Sequence, residues 1–159
     1  MRRRRGFLLI ALGMLILAGG TLHVFKVSIL YMQNMDRPKA CWIWVNPSER
    51  FSIVYTHSIY QEPVVEEFQF DQRAIVLKGV RARHPGILEY YGFEDGHEFH
   101  SMDRRVGPLF FRVAMGEPQS LLIRNRKISF SEVGERGDPL RLGLRSVSLG
   151  DYLFHRLFL

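Results

Sequence analysis

Phe51-Ser52-Ile53-Val54-Tyr55-Thr56-His57, followed by Val64-Val65-Glu66-Glu67-Phe68-Gln69-Phe70, decides the fold class. In the first stretch Phe51, Ile53 and Tyr55 alternate with Ser52, Val54 and Thr56. This is the period-two pattern of a half-buried strand, because successive side chains of an extended backbone point to opposite sides. Phe68 and Phe70 continue the apolar parity in the second stretch, and residues 59–63 are the expected loop of a hairpin between the two. Outward from this hairpin, residues 41–45 (CWIWV) end at the Asn46-Pro47 turn signal, and Ala74–Arg81 and residues 109–113, 121–123 and 127–130 add further short runs. Asp95-Gly96 and Asn125 mark expected turns. Short strands at this spacing predict a mainly β domain, an antiparallel β-sandwich or a partly open barrel.

One helix is expected at the end of the chain. Ser148 can cap it, Asp151 suits its first turn, and Leu149, Tyr152, Leu153 and Leu157 share one side. A helix of about ten residues is marginal alone in water. It must therefore dock on its own sheet, on the outer leaflet of a membrane or on a partner, with His155 and Arg156 facing out or toward lipid headgroups.

The N-terminal segment has a different character. Residues 7–25 (FLLIALGMLILAGGTLHVF) contain no acid, Lys or Arg, and a helix of that length spans a hydrocarbon core of about 30 Å. Arg2, Arg3, Arg4 and Arg5 precede the run and only Lys26 follows it, so the positive-inside bias places the N-terminus in the cytoplasm and the rest outside the membrane. Ala18, Gly19 and Gly20 also fit a cleaved signal peptide, and export has the same direction in either case. The expected organisation is a basic tail (1–6), a single-pass transmembrane helix or signal peptide (7–27), a juxtamembrane linker (28–40) and an extracytoplasmic β-rich domain (41–159). Of the 22 basic residues, four are the N-terminal arginines; the remaining 18 against 16 acids leave a net charge of +2 instead of +6. The basic balance thus reports the tail, and no nucleic-acid partner is expected. Cys41 is the single cysteine, which excludes an intramolecular disulfide and a cysteine-based zinc site. No nucleophile elbow, phosphate-cradling loop or dinucleotide fingerprint is present, and no cofactor is expected.

The block Glu49-Arg50-Phe51-Ser52-Ile53-Val54-Tyr55-Thr56-His57-Ser58, then Pro63-Val64-Val65-Glu66-Glu67-Phe68, with a strand ending near Val80 and a late Leu122-Ile123 to Ile128 hairpin, resembles the bacterial domain of unknown function 1850 family. The resemblance covers about residues 42–144. It implies a small exported protein encoded beside tripartite ATP-independent periplasmic (TRAP) transporters of the TAXI subclass, and hence the TRAP permease or its solute-binding protein as partner. Where that family shows a Phe-Gly-Ala-Gly turn, this chain reads His84-Pro85-Gly86-Ile87-Leu88-Glu89, and its terminal helix extends past the family pattern.

Parity along the central hairpin carries His57 and Glu66 to the side of Phe51, Ile53 and Tyr55. A carboxylate at the rim of an apolar core needs a partner, and His57 is the nearest one by sequence. The pair closes the hairpin, binds a ligand or transfers protons. The ligand-binding candidates are His57, Ser58, Glu66 and Arg81, the last from a group that includes Arg83, Arg104, Arg105, Arg112, Arg124 and Arg126 and that suits an anionic solute. His97 and His100 have a spacing a metal could use with Glu62, Glu66 or His57, but a solvated loop is the plainer reading, so no metal ligand is assigned and no catalytic residue is named. The expected function is a membrane-anchored extracytoplasmic accessory or binding module of a transport system. The alternative is a small exported hydrolase or metal-dependent enzyme using His57 and Glu66.

The topology is directly measurable. A reporter that works only outside the cytoplasm should be active when fused after Leu159, and neutralising Arg2 to Arg5 should weaken that orientation. Activity of a cytoplasm-only reporter at the same position would refute it.

Overall fold

The computed structural model describes Met14 and residues 19–71, 74–95 and 97–158. Most of the apolar run (7–13 and 15–18), the arginines at 2–5 and Gly96 of the expected Asp95-Gly96 turn lie outside these residues. Residues 19–24 are helical, and no helix among the described residues is long and apolar enough to cross a membrane. In chain order the elements are β1 (Lys26–Asn34), β2 (Ala40–Trp44), β3 (Arg50–Thr56), β4 (Pro63–Asp71), β5 (Ala74–Arg81), α1 (Pro85–Tyr90), β6 (Phe99–Val106), β7 (Leu109–Arg112), β8 (Ser120–Ile123), β9 (Arg126–Ser129), β10 (Pro139–Ser148) and α2 (Leu149–Phe158).

The strands form two sheets, one in the order β2-β1-β10-β7 and one in the order β6-β5-β4-β3-β8-β9. Every pairing is antiparallel. Leu30, Met32, Ile43, Leu140 and Leu142 of the smaller sheet share one buried core with Phe51, Ile53, Phe68, Phe70, Leu121 and Ile123 of the larger. The Phe51 ring is stacked on Phe68 and on Phe70 with centroids 4.9 and 5.0 Å away. This is the sandwich arrangement, in which each inner face is supplied by alternate residues of its strands. The β8–β9 hairpin turns at Arg124 and Asn125, with Arg124 taking the left-handed φ of 53°.

Four elements depart from the sequence expectation, and the longest of them is β10, a ten-residue strand over Pro139–Ser148 where no strand was expected. Part of the expected linker 28–40 is β1, which pairs with β10 over nine residues and with β2 over five. Its run Val27-Ser28-Ile29-Leu30-Tyr31-Met32 extends the apolar N-terminal stretch in sequence because a strand covered on both faces loses its alternation. Leu30 and Met32 enter the central core, whereas Ile29 packs with Val27 and Tyr31 in a second cluster on the other side. The edge strand β6 carries little apolar periodicity and is tied to β5 and β4 by Lys78–Asp103 (2.6 Å) and Arg105–Asp71 (2.7 Å). The His84-Pro85-Gly86 segment opens α1 instead of a turn: Pro85 occupies the first helical turn, where its missing N–H costs nothing, and His84 Nδ1 accepts from Gly86 N at 3.1 Å.

Helix α2 docks on the outer face of the smaller sheet. Ser148 Oγ accepts from Asp151 N at 3.0 Å and caps it. Tyr152 is buried against Ile29 and Val147 and lies edge-on to Trp44. His155 does not face out as expected: its ring lies flat on Trp42, 3.9 Å between centroids and 6° between planes, and burial lowers its pKa and favours the neutral ring. The docked side is thus Leu149, Tyr152 and His155, at helical spacing. Leu153 and Leu157, expected on the buried side, are exposed together with Phe154 and Phe158.

Tyr152→Ala should therefore lower stability by about 3 kcal/mol, the range for truncating a buried aromatic. Phe154→Ser should change it by no more than about 0.5 kcal/mol. Denaturant melts of the two variants check this, and equal losses would mean that α2 is not seated on Tyr152.

Candidate functional site

The site grows from the register of the central hairpin. Ile53 lies opposite Glu66 and Tyr55 opposite Val64. Residues directly opposite share a face, so Glu66 projects to the inward side with Phe51, Ile53 and Tyr55. A carboxylate there is costly unless it is hydrogen-bonded. Its partner is Tyr91, whose hydroxyl donates to Glu66 Oε1 at 2.7 Å, and the Tyr55 hydroxyl lies 2.9 Å from that of Tyr91. With the Tyr91 proton committed to Glu66, Tyr55 is left to donate to Tyr91, and the three groups form a chain.

Tyr91 reaches this position because α1 ends there, its N–H returning to Leu88 O at 2.9 Å. Buried Ile87 and Leu88 pin the helix. At its start Tyr60 stacks on the His84 ring at 3.9 Å, and Gly86 leaves room for that ring, since a Cβ there would lie 2.5 Å from the Tyr60 hydroxyl and displace it. Burial raises the pKa of Glu66, and the Tyr91 hydrogen bond opposes the shift. Burial, then the Glu66 charge, pushes Tyr55 up to about 12 and acts on Tyr91 in the same direction. Both phenols stay protonated at neutral pH.

Above this chain opens a cleft of about 620 Å³. Tyr55, Thr56, His57 and Ser58 supply one wall, Tyr90 and Tyr91 another, and Met115, Glu117 and Gln119 a third. Gln119 Oε1 accepts from Ala114 N at 3.2 Å and closes the loop that carries the third wall. Tyr90 is 87% exposed and meets Tyr91 edge to face.

Of the four sequence candidates, His57 and Ser58 line the cleft and Glu66 is linked to it through Tyr91. Arg81 is elsewhere, its guanidinium 4.9 Å from the centroid of the Phe99 ring. No hydrogen bond or ion pair joins His57 to Glu66 among the described residues. The reason is register: His57 N donates to Glu62 O, whereas Glu66 faces Ile53, four residues earlier, which is about 13 Å along a strand. His57 turns into a tight loop instead. Its Nδ1 accepts weakly from Ile59 N (3.3 Å) and Tyr60 N (3.5 Å), and Gln61 takes the left-handed φ of 54°.

His100 is buried, stacked on Phe93 with centroids 4.1 Å apart, and its Nε2 lies 2.7 Å from His97 O and 3.1 Å from Asp95 Oδ1. Among the described residues no group of three or more His, Cys, Asp or Glu is placed to hold a metal ion. The arginines do not gather at the cleft: Arg105 pairs with Asp71 and Arg124 with Glu49. Tyr90 and Tyr91 went unrecognised in the sequence although the doublet before Gly92 was a usable signal; the Met115 to Gln119 wall carried none. No family model, curated protein or solved structure matches this chain.

Removing the Tyr91 hydroxyl leaves Glu66 without its donor, and Tyr91→Phe should cost about 1–3 kcal/mol. Glu66→Gln has the opposite pH signature. Because the folded carboxyl pKa is raised, the native state binds its proton more tightly, so the stabilisation is complete below the unfolded value near 4.5 and is lost as pH rises through the folded value. Glu66→Gln escapes that loss. Its melting temperature relative to the parent should rise between pH 4.5 and pH 8, and a pH-independent difference would refute the raised carboxyl pKa.

Proposed function

We propose that this is a binding module, held at the outer face of the bacterial cytoplasmic membrane by its N-terminal apolar run, whose cleft takes a small neutral or cationic organic solute. The composition of the cleft carries this reading. Three tyrosines, one histidine and one carboxylate, Glu117, line it with Thr, Ser and Gln, and no Lys or Arg does. A second carboxylate, Glu66, lies behind Tyr91. Aromatic faces with fixed hydroxyls and unpaired negative charge favour polyhydroxylated or cationic groups and disfavour carboxylates. The family resemblance adds a transport context, in which the module serves a TAXI-type TRAP permease or its solute-binding protein. The hydrolase alternative draws no support from the register, which separates His57 from Glu66.

A panel of polyols, quaternary amines and dicarboxylates tests the cleft by thermal shift and calorimetry. Members of the first two classes should raise the melting temperature, and Tyr90→Ala should weaken their binding about tenfold, the worth of one aromatic contact. Its own melting temperature should stay unchanged, since the ring is exposed. Preferential binding of dicarboxylates would overturn the charge argument. Co-purification of a permease from native membranes tests the transport context separately.

A further inference from the structure

The outer side of α2 has no role in holding the domain together. Tyr152 and His155 make the contacts with the sheet, yet Leu153, Phe154, Leu157 and Phe158 stand on the opposite side, 37%, 60%, 72% and 69% exposed. At 100° per residue these four and Gly150 form one stripe. A water-facing stripe on a short helix is normally polar; four consecutive turn positions of Leu and Phe mark a surface that meets something apolar.

The surroundings of that stripe say what. Its first turn abuts the end of the apolar N-terminal run: a Cβ on Gly150 would lie 3.6 Å from Leu22, and Leu149 N donates to Phe25 O at 2.8 Å. The helix thus begins beside residues 22–25. Val24 and Phe25, 77% and 64% exposed, add to the apolar surface at the same point. Beside the helix runs a seam of about 450 Å³ lined by Arg124, Arg126, Arg156, Trp44 and Tyr152. Glu49 neutralises Arg124, and neither Arg126 nor Arg156 has a carboxylate partner among the described residues. The one acid of α2, Asp151, lies in the capping turn with Ser148. Exposed apolar side chains, an indole at the edge and guanidiniums along the flank are the composition of an interfacial helix.

We infer that the outer face of α2 lies on the surface of a lipid bilayer, with Leu153, Phe154, Leu157 and Phe158 in the acyl boundary and Arg126 and Arg156 against anionic headgroups. The inference rests on the proposed tether, which brings the domain to the lipid. It adds that the domain is laid down on the membrane through α2 instead of standing off on a flexible stalk. The apolar stripe supplies the insertion and the arginines supply selectivity for anionic lipid.

The test uses the full chain in phosphatidylcholine vesicles with and without phosphatidylglycerol. Phe154→Trp places a reporter on the stripe, and lipids brominated near the glycerol end should quench it at least twofold more than the parent, whose Trp42 and Trp44 supply the background. Leu157→Trp should behave alike. Combining Arg126→Gln with Arg156→Gln should weaken quenching in phosphatidylglycerol vesicles more than in pure phosphatidylcholine, and added salt should do the same. Quenching of both tryptophan variants no greater than the parent's overturns the inference, as does efficient disulfide crosslinking between copies of Leu157→Cys, which would give the stripe to a second copy of the chain. Alkaline carbonate extraction reads the tether independently. A chain retained in the vesicles but unquenched keeps the tether and loses the docked helix; a chain that is quenched before extraction and then released keeps the docked helix and loses the tether.

Discussion

Nine consecutive backbone pairings, from Lys26↔Ser148 to Asn34↔Leu140, join β1 to β10, and most of the architecture follows from that ladder. Because β1 also pairs with β2, it is an interior strand whose backbone groups are satisfied on both edges and whose side chains must be covered on both faces. The inner face is covered by the larger sheet through Leu30 and Met32, and the outer face by α2 over Ile29. At the far end Asn34 locks the ladder: Nδ2 donates to Asp138 Oδ2 at 2.7 Å and to Val133 O at 3.3 Å, while Oδ1 accepts from the amides of Asp36 and Arg37. An antiparallel ladder that starts with residue 26 opposite residue 148 sets residues 22–25 beside the first turn of α2.

The cleft depends on a second constraint, a carboxylate carried inward by strand parity. Glu66 cannot avoid the core side, because shifting the register by one residue would turn Phe51, Ile53 and Phe68 out with it. Tyr91 resolves the conflict, and in doing so ties the end of α1 to the floor of the larger sheet. One hydrogen bond therefore both satisfies a half-buried acid and fixes the position of a cleft wall. The polar cost of Glu66 is converted into local order at the place where the walls must hold their shape.

These two regions are built from different parts of the sandwich. The cleft is assembled from the end of β3, from α1 and from the loop after β7, whereas the outward stripe of α2 belongs to the outer face of the smaller sheet. Their charge characters differ: Glu117 lines the cleft and no Lys or Arg does, whereas Arg124, Arg126 and Arg156 line the seam beside α2.

By itself the sequence determined the β class, the central hairpin and the inward placement of Glu66, because each rests on period-two alternation that a local stretch carries in full. It also determined the start of α2, since Ser148 and Asp151 act on their own helix turn. The tertiary structure alone decided the rest. β1 was hidden because burial on both faces erases alternation and merges its apolar residues with the run before it. The partner of Glu66 was out of reach because proximity along the hairpin favours His57, while the true donor lies 25 residues away, beyond β5 and α1. The orientation of α2 was likewise undecidable from its own residues. Two sides of that helix are apolar or aromatic, and only the shape of the sheet beneath, with Trp42 offering a flat surface to the His155 ring, selected which side is buried and left four apolar side chains facing outward.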